Sequence, residues 1–107
     1  MTEYSGEITN YRLFLKDPTI PSSYKRVIYI NGSFGGANLY FIPERGELKP
    51  NRKRPGMDFF DIYYFNRSWA PMVDLLRNEK PCYFYFIEPQ NWATIKSALE
   101  EVGEEET

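Results

Sequence analysis

The stretch Val27-Ile28-Tyr29-Ile30-Asn31-Gly32-Ser33-Phe34-Gly35-Gly36-Ala37-Asn38-Leu39-Tyr40-Phe41-Ile42 decides the class of fold. Two runs rich in β-branched and aromatic residues flank a centre that can reverse direction. Asn31-Gly32 and Gly35-Gly36 supply positive φ at little steric cost, so the stretch predicts a β-hairpin, with strands over 24–31 and 37–42 closed by Pro43. The same glycines invite comparison with a phosphate-binding loop. Such a loop leads from a strand into a helix and carries a lysine, whereas this one returns into a strand without one.

Working outward, Ile8, Tyr11, Leu13, Phe14 and Leu15 predict a first strand over 7–16, and Pro18 and Pro21 end it. After the hairpin, residues 43–57 hold Pro43, Pro50, Pro55, Gly46 and Gly56 and read as a long loop. The loop carries Arg45, Lys49, Arg52, Lys53 and Arg54 against Glu44 and Glu47, a net +3 that leaves −5 for the rest of a chain of net charge −2. Asp58–Phe65 predict a fourth strand. Ser68 is the expected N-cap of a helix with Trp69, Met72, Val73 and Leu76 on its apolar face. Cys82–Ile87 read as a fifth strand. Pro89 is expected to open a second helix with Trp92, Ile95, Leu99 and Val102 as its stripe and Gly103 at its end.

The expected fold is therefore a two-layer α+β domain over 1–103. It has a mixed five-stranded sheet in chain order β-β-β-β-α-β-α and two helices on one face, with the fourth and fifth strands forming a right-handed βαβ unit. Residues 104–107, Glu104-Glu105-Glu106-Thr107, read as an acidic disordered tail.

Composition narrows the chemistry. With 107 residues, the chain is the size of one domain. It has no histidine, which removes the commonest general base and zinc ligand and excludes Ser-His-Asp and Cys-His catalysis. Its one cysteine, Cys82, excludes an internal disulfide and reads as a small buried hydrophobe. The N-terminus has no basic-then-apolar pattern of an export signal, and no apolar run approaches membrane-spanning length. A cytoplasmic, non-enzymatic protein without cofactor or metal, and without membrane contact, is the expectation.

The aromatic content is high, with nine Tyr, eight Phe and two Trp. Strand alternation sets Ile28, Ile30, Leu39, Phe41, Phe60, Ile62, Phe84 and Phe86 on sides suited to lie under helices. The opposite sides carry Tyr29, Tyr40, Phe59, Asp61, Tyr63, Phe65, Tyr83 and Tyr85. Such a surface, left uncovered, exceeds what a monomer leaves in water. The long loop and first strand could cover it within the monomer. A second copy could cover it in a face-to-face homodimer, and single-stranded RNA or DNA could stack on it, aided by Lys49, Arg52, Lys53 and Arg54. The expected function is a non-catalytic interaction domain that associates with itself through this face, with nucleic-acid binding as the alternative. Of Asp58 and Asp61, which point to opposite faces, Asp61 among aromatics is the stronger candidate acid, with Tyr63 and Arg54 as partners in a small enzyme; such a carboxylate more commonly pairs with an arginine or a tyrosine hydroxyl.

Overall fold

The hairpin forms around its glycines. In the computed structural model, which describes residues 1–17, 19 and 24–98, β2 (Arg26–Gly32) and β3 (Gly35–Ile42) pair antiparallel from Arg26↔Phe41 to Gly32↔Gly35. Of the residues expected to supply positive φ, only Gly35 does, at +111°; a Cβ there would run into the Asp58 carbonyl oxygen, so only glycine fits, while Asn31, Gly32 and Gly36 stay in the extended ladder.

The first strand is longer than expected. β1 spans Thr2–Leu15 and serves two neighbours: Thr2–Glu7 pair with β6 (Cys82–Glu88), whereas Ile8–Leu15 pair with β2. A register shift between Ile8 and Asn10 marks the changeover. One extra residue reverses which side chains point inward. Tyr4 and Ile8 lie inward before the shift and Leu13 after it, so both halves of the strand pack against one core. The close crossing there depends on Gly32, where a Cβ would collide with the Glu7 carbonyl oxygen.

Two short or unexpected strands complete the sheet. β5 (Phe59–Phe65) pairs parallel with β3, and the two-residue β4 (Arg52–Lys53), inside the predicted loop, pairs with β5. β7 (Trp92–Ser97) pairs antiparallel with β6. The seven strands run in the order β4-β5-β3-β2-β1-β6-β7, curled into a half-barrel. Curling brings the ends of the sheet over one another: Phe60 of β5 meets Phe84 and Phe86 of β6 at ring-centroid distances of 5.1 and 4.9 Å. These three rings are fully buried with Ile28, Ile30 and Leu39.

A single α-helix is present among the described residues. After a 3-10 turn at Asn66–Ser68, α1 (Trp69–Asn78) buries Met72 and Leu76 and sets Trp69 edge-on to Phe41 at 5.1 Å. Ser68 makes no side-chain cap hydrogen bond, because the 3-10 turn already leads the chain into the helix.

The expected α+β layering, with a five-stranded sheet under two helices, is thus replaced by a largely β half-barrel. The region of the second helix forms β7. There Pro89 lies in a turn completed by Asn91 at φ 60°, a conformation asparagine tolerates. Ala93 and Ile95 oppose Phe86 and Phe84. The apolar spacing of 92–95 suits helix or strand, and the otherwise unpaired backbone edge of β6 selects the strand. The βαβ unit is absent as well: β5 and β6 are not neighbours, β5 lying beside β3 and β6 beside β1. Leu99, Val102, Gly103 and the predicted acidic tail at 104–107 fall outside the described residues. Among those described, no helix is long and apolar enough to cross a membrane.

Candidate functional site

Because partners in register share a face, the outward wall of β1–β5 can be read row by row. One row runs Arg12, Tyr29, Asn38, Asp61, Arg52; the next runs Phe14, Val27, Tyr40, Tyr63. Of the predicted face, Tyr29, Tyr40, Phe59, Asp61, Tyr63 and Phe65 lie on this wall. Tyr83 and Tyr85 do not: they stand on the outside of β6, opposite Lys96 and Thr94, with the Lys96 ammonium 4.6 Å from the Tyr85 ring centroid. Curling of the sheet separates the two groups.

Asp61 is the centre of the wall and is 2 % exposed. Arg54 donates to both its oxygens, from Nε at 2.9 Å and Nη2 at 2.9 Å, and Arg52 Nε donates at 3.0 Å. The Tyr40 hydroxyl donates at 3.1 Å and in turn accepts from Asn38 Nδ2 at 3.1 Å. Burial alone would raise the Asp61 carboxyl; the hydrogen bonds from Arg54 and Arg52 outweigh it and hold the group below its usual range. An ionised carboxylate with its lone pairs taken is an anchor and is unsuited to donate a proton.

The basic segment therefore folds onto the wall. Alternation in β4 turns Arg52 outward to Asp61 and sends Lys53 inward, where its ammonium lies 5.4 Å from the Tyr4 ring centroid. The Arg54 guanidinium covers Phe59 at 4.3 Å, and Lys49 lies 5.6 Å from the centroid of Tyr24. Tyr24 packs on Tyr40 at 4.7 Å, and Tyr40 stacks on Tyr63 at 5.0 Å. Asn51 fastens the segment at both ends: its Oδ1 accepts from the Tyr63 backbone N–H at 2.8 Å, and its Nδ2 donates to the Asn91 carbonyl at 3.3 Å. Tyr24, Asn38 and Asn51 were not legible as wall residues: Asn51 lies in the predicted loop, Asn38 is an ordinary polar strand position, and Tyr24 opens the predicted strand over 24–31 but precedes β2.

The wall is closed at its β4–β5 end and open at β1. There Phe14 on the wall, and Tyr11 and Leu15 on the opposite face of β1, are 42, 37 and 71 % exposed, three large apolar side chains within five residues. Beside them lies a cleft of about 660 Å³ between the middle of β1 and the end of α1, lined by Ile8, Tyr11, Leu76, Glu79, Pro81 and Cys82. Cys82 Sγ donates to the Glu79 carbonyl at 3.0 Å, and burial raises its thiol, so the group stays protonated and unreactive at neutral pH. Among the described residues no group of three or more acidic, histidine or cysteine side chains is arranged to hold a metal. No protein-family model, curated protein or solved structure matches this chain.

Proposed function

We propose that this chain is a non-catalytic interaction domain that associates with itself through β1, the strand at the open end of its aromatic wall. The observation that carries this reading is the concentration of exposed Tyr11, Phe14 and Leu15 on one strand, next to a cleft whose lining mixes Ile8, Leu76 and Cys82 with Glu7, Glu79 and Lys80. Apolar surface of that density favours burial against a partner, and identical copies offer the simplest one. The polar groups of the wall support the non-catalytic part: Asp61 is saturated by donors.

Nucleic-acid binding draws less support. Stacking needs open ring faces beside uncommitted cations. Here Arg54 already covers Phe59, Lys49 lies over Tyr24, and both Arg52 and Arg54 are committed to Asp61. Sedimentation equilibrium over low to high micromolar protein tests the reading. A mass rising from one to two chains is expected, and a single-chain mass throughout would overturn it. A salt-sensitive shift with oligonucleotide, without self-association, would favour the alternative.

A further inference from the structure

We infer that two copies join edge to edge along β1, antiparallel about a two-fold axis through Leu13, each inserting Leu15 into the other's cleft. The inference rests on the self-association reading and specifies its geometry.

The free edge follows from the hydrogen-bonding parity of β1. Lys16 N–H donates to the Lys25 carbonyl across the β1–β2 ladder at 2.8 Å. Even-numbered residues after the register shift therefore point their backbone groups toward β2, and Tyr11, Leu13 and Leu15 point theirs away. On that side β6 pairs only with Thr2–Glu7, and among the described residues no strand pairs with Tyr11–Leu15. From Tyr11 to Leu15 the edge carries neither proline nor acidic side chain and is regular beyond the shift at Ile8–Asn10; its one charge, Arg12, points outward.

The side chains select the occupant and the register. Two-fold pairing that uses the free backbone groups can centre on any residue from Tyr11 to Leu15. Centring on Phe14 sets Arg12 against Lys16, like charges directly opposed, and centring on Leu15 sets Leu13 against Asp17, apolar against charged. Centring on Arg12 sets two guanidiniums directly opposite, which is unfavourable. Centring on Tyr11 sets Leu15 against Glu7, apolar against charged. Centring on Leu13 sets Leu13 against Leu13, Tyr11 against Leu15 and Arg12 against Phe14. Apolar residues then meet on the inward face, and a cation meets an aromatic ring twice on the outward one. Tyr11 lines the cleft, so the Leu15 opposite it, carried on the same face by the partner strand, enters the space bounded by Ile8, Leu76 and Cys82. The two most exposed apolar groups on this strand and the neighbouring cavity are thereby satisfied by one symmetric contact.

Disulfide trapping reads the register directly. In a Cys82→Ala background, Arg12→Cys and Phe14→Cys chains are oxidised separately and mixed. Directly opposed residues in a non-hydrogen-bonded pair stand about 4.5 Å apart at Cα, within disulfide range. The mixture is expected to give a covalent heterodimer, with little product from either variant alone. Leu15→Lys, at a position 71 % exposed, is expected to weaken association at least tenfold while circular dichroism is unchanged. Arg12→Cys cross-linking to itself overturns the register. A dimer that survives Leu15→Lys and gives no mixed disulfide overturns the edge geometry but keeps self-association. A wild type that stays monomeric overturns both.

Discussion

Phe60 and Asp61 are consecutive in β5 and almost equally hidden, at 0 and 2 % exposure, yet they are buried by opposite means. Phe60 points into the half-barrel, where Phe84, Phe86 and Tyr4 surround it. Its burial is driven by apolar area, and neighbours of similar size could replace those present. Asp61 points outward and is hidden only because Arg52, Arg54 and Tyr40 converge on its carboxylate. Its burial depends on each partner, since a buried charge that loses one is poorly compensated. One strand thus carries a forgiving face and an exacting one.

The strongest way to break this comparison is Phe84→Ala on the inward side. Deleting a fully buried ring removes transfer energy and leaves a cavity, and the expected loss is about 3–5 kcal/mol in urea unfolding. A loss under about 1 kcal/mol would place the core elsewhere. On the outward side, Arg54→Met leaves Asp61 with Arg52 and the Tyr40 hydroxyl. Because Arg54 is itself about one-third exposed, a loss of about 2 kcal/mol is expected, below the range for fully buried pairs. Adding Asp61→Asn to that variant removes the stranded charge and should recover part of the loss. A double variant less stable than Arg54→Met would show that the carboxylate is not the source of the cost.

Acid titration separates the two faces more finely. The Asp61 carboxyl is lower in the folded chain than its usual value of 3.8, so its contribution is fully present above that value. The contribution is lost as pH falls through the folded-state value. The stability difference between wild type and Asp61→Asn should therefore be greatest near pH 7 and shrink below about pH 4, whereas the cost of Phe84→Ala should be insensitive to the same change. A constant Asp61→Asn difference over that range would contradict the arginine lock. The smallest effect concerns the segment that carries the lock. Arg52 and Lys53 are held in β4, and the bonds after Lys49 and Arg54 precede prolines, so trypsin should cut this segment first after Arg45. First cleavage after Arg52 would mean that the lock opens readily.

Much of this molecule is decided by short-range chemistry. The positive φ of Gly35 is a local demand of the turn that only glycine meets without strain, whereas Gly32 is fixed by the crossing of Glu7 from β1. The period of two in Phe59–Phe65 separates Phe60 and Ile62 from Asp61 and Tyr63, and the helix at Trp69–Asn78 follows from its apolar spacing. Tertiary structure alone decided the rest. The turn at Asn91 and the waiting edge of β6 made a strand of 92–97, whose apolar spacing suits either element. The register shift after Ile8 let β1 serve two partners, and the curl it permits carried Tyr83 and Tyr85 away from Tyr40 and Tyr63. The meeting of Arg52 and Arg54 with Asp61 was equally beyond local pattern. Alternation tells which way a side chain faces along its own strand, but strand neighbours are chosen by backbone hydrogen bonds and packing between distant segments, and those become available only when the whole sheet closes.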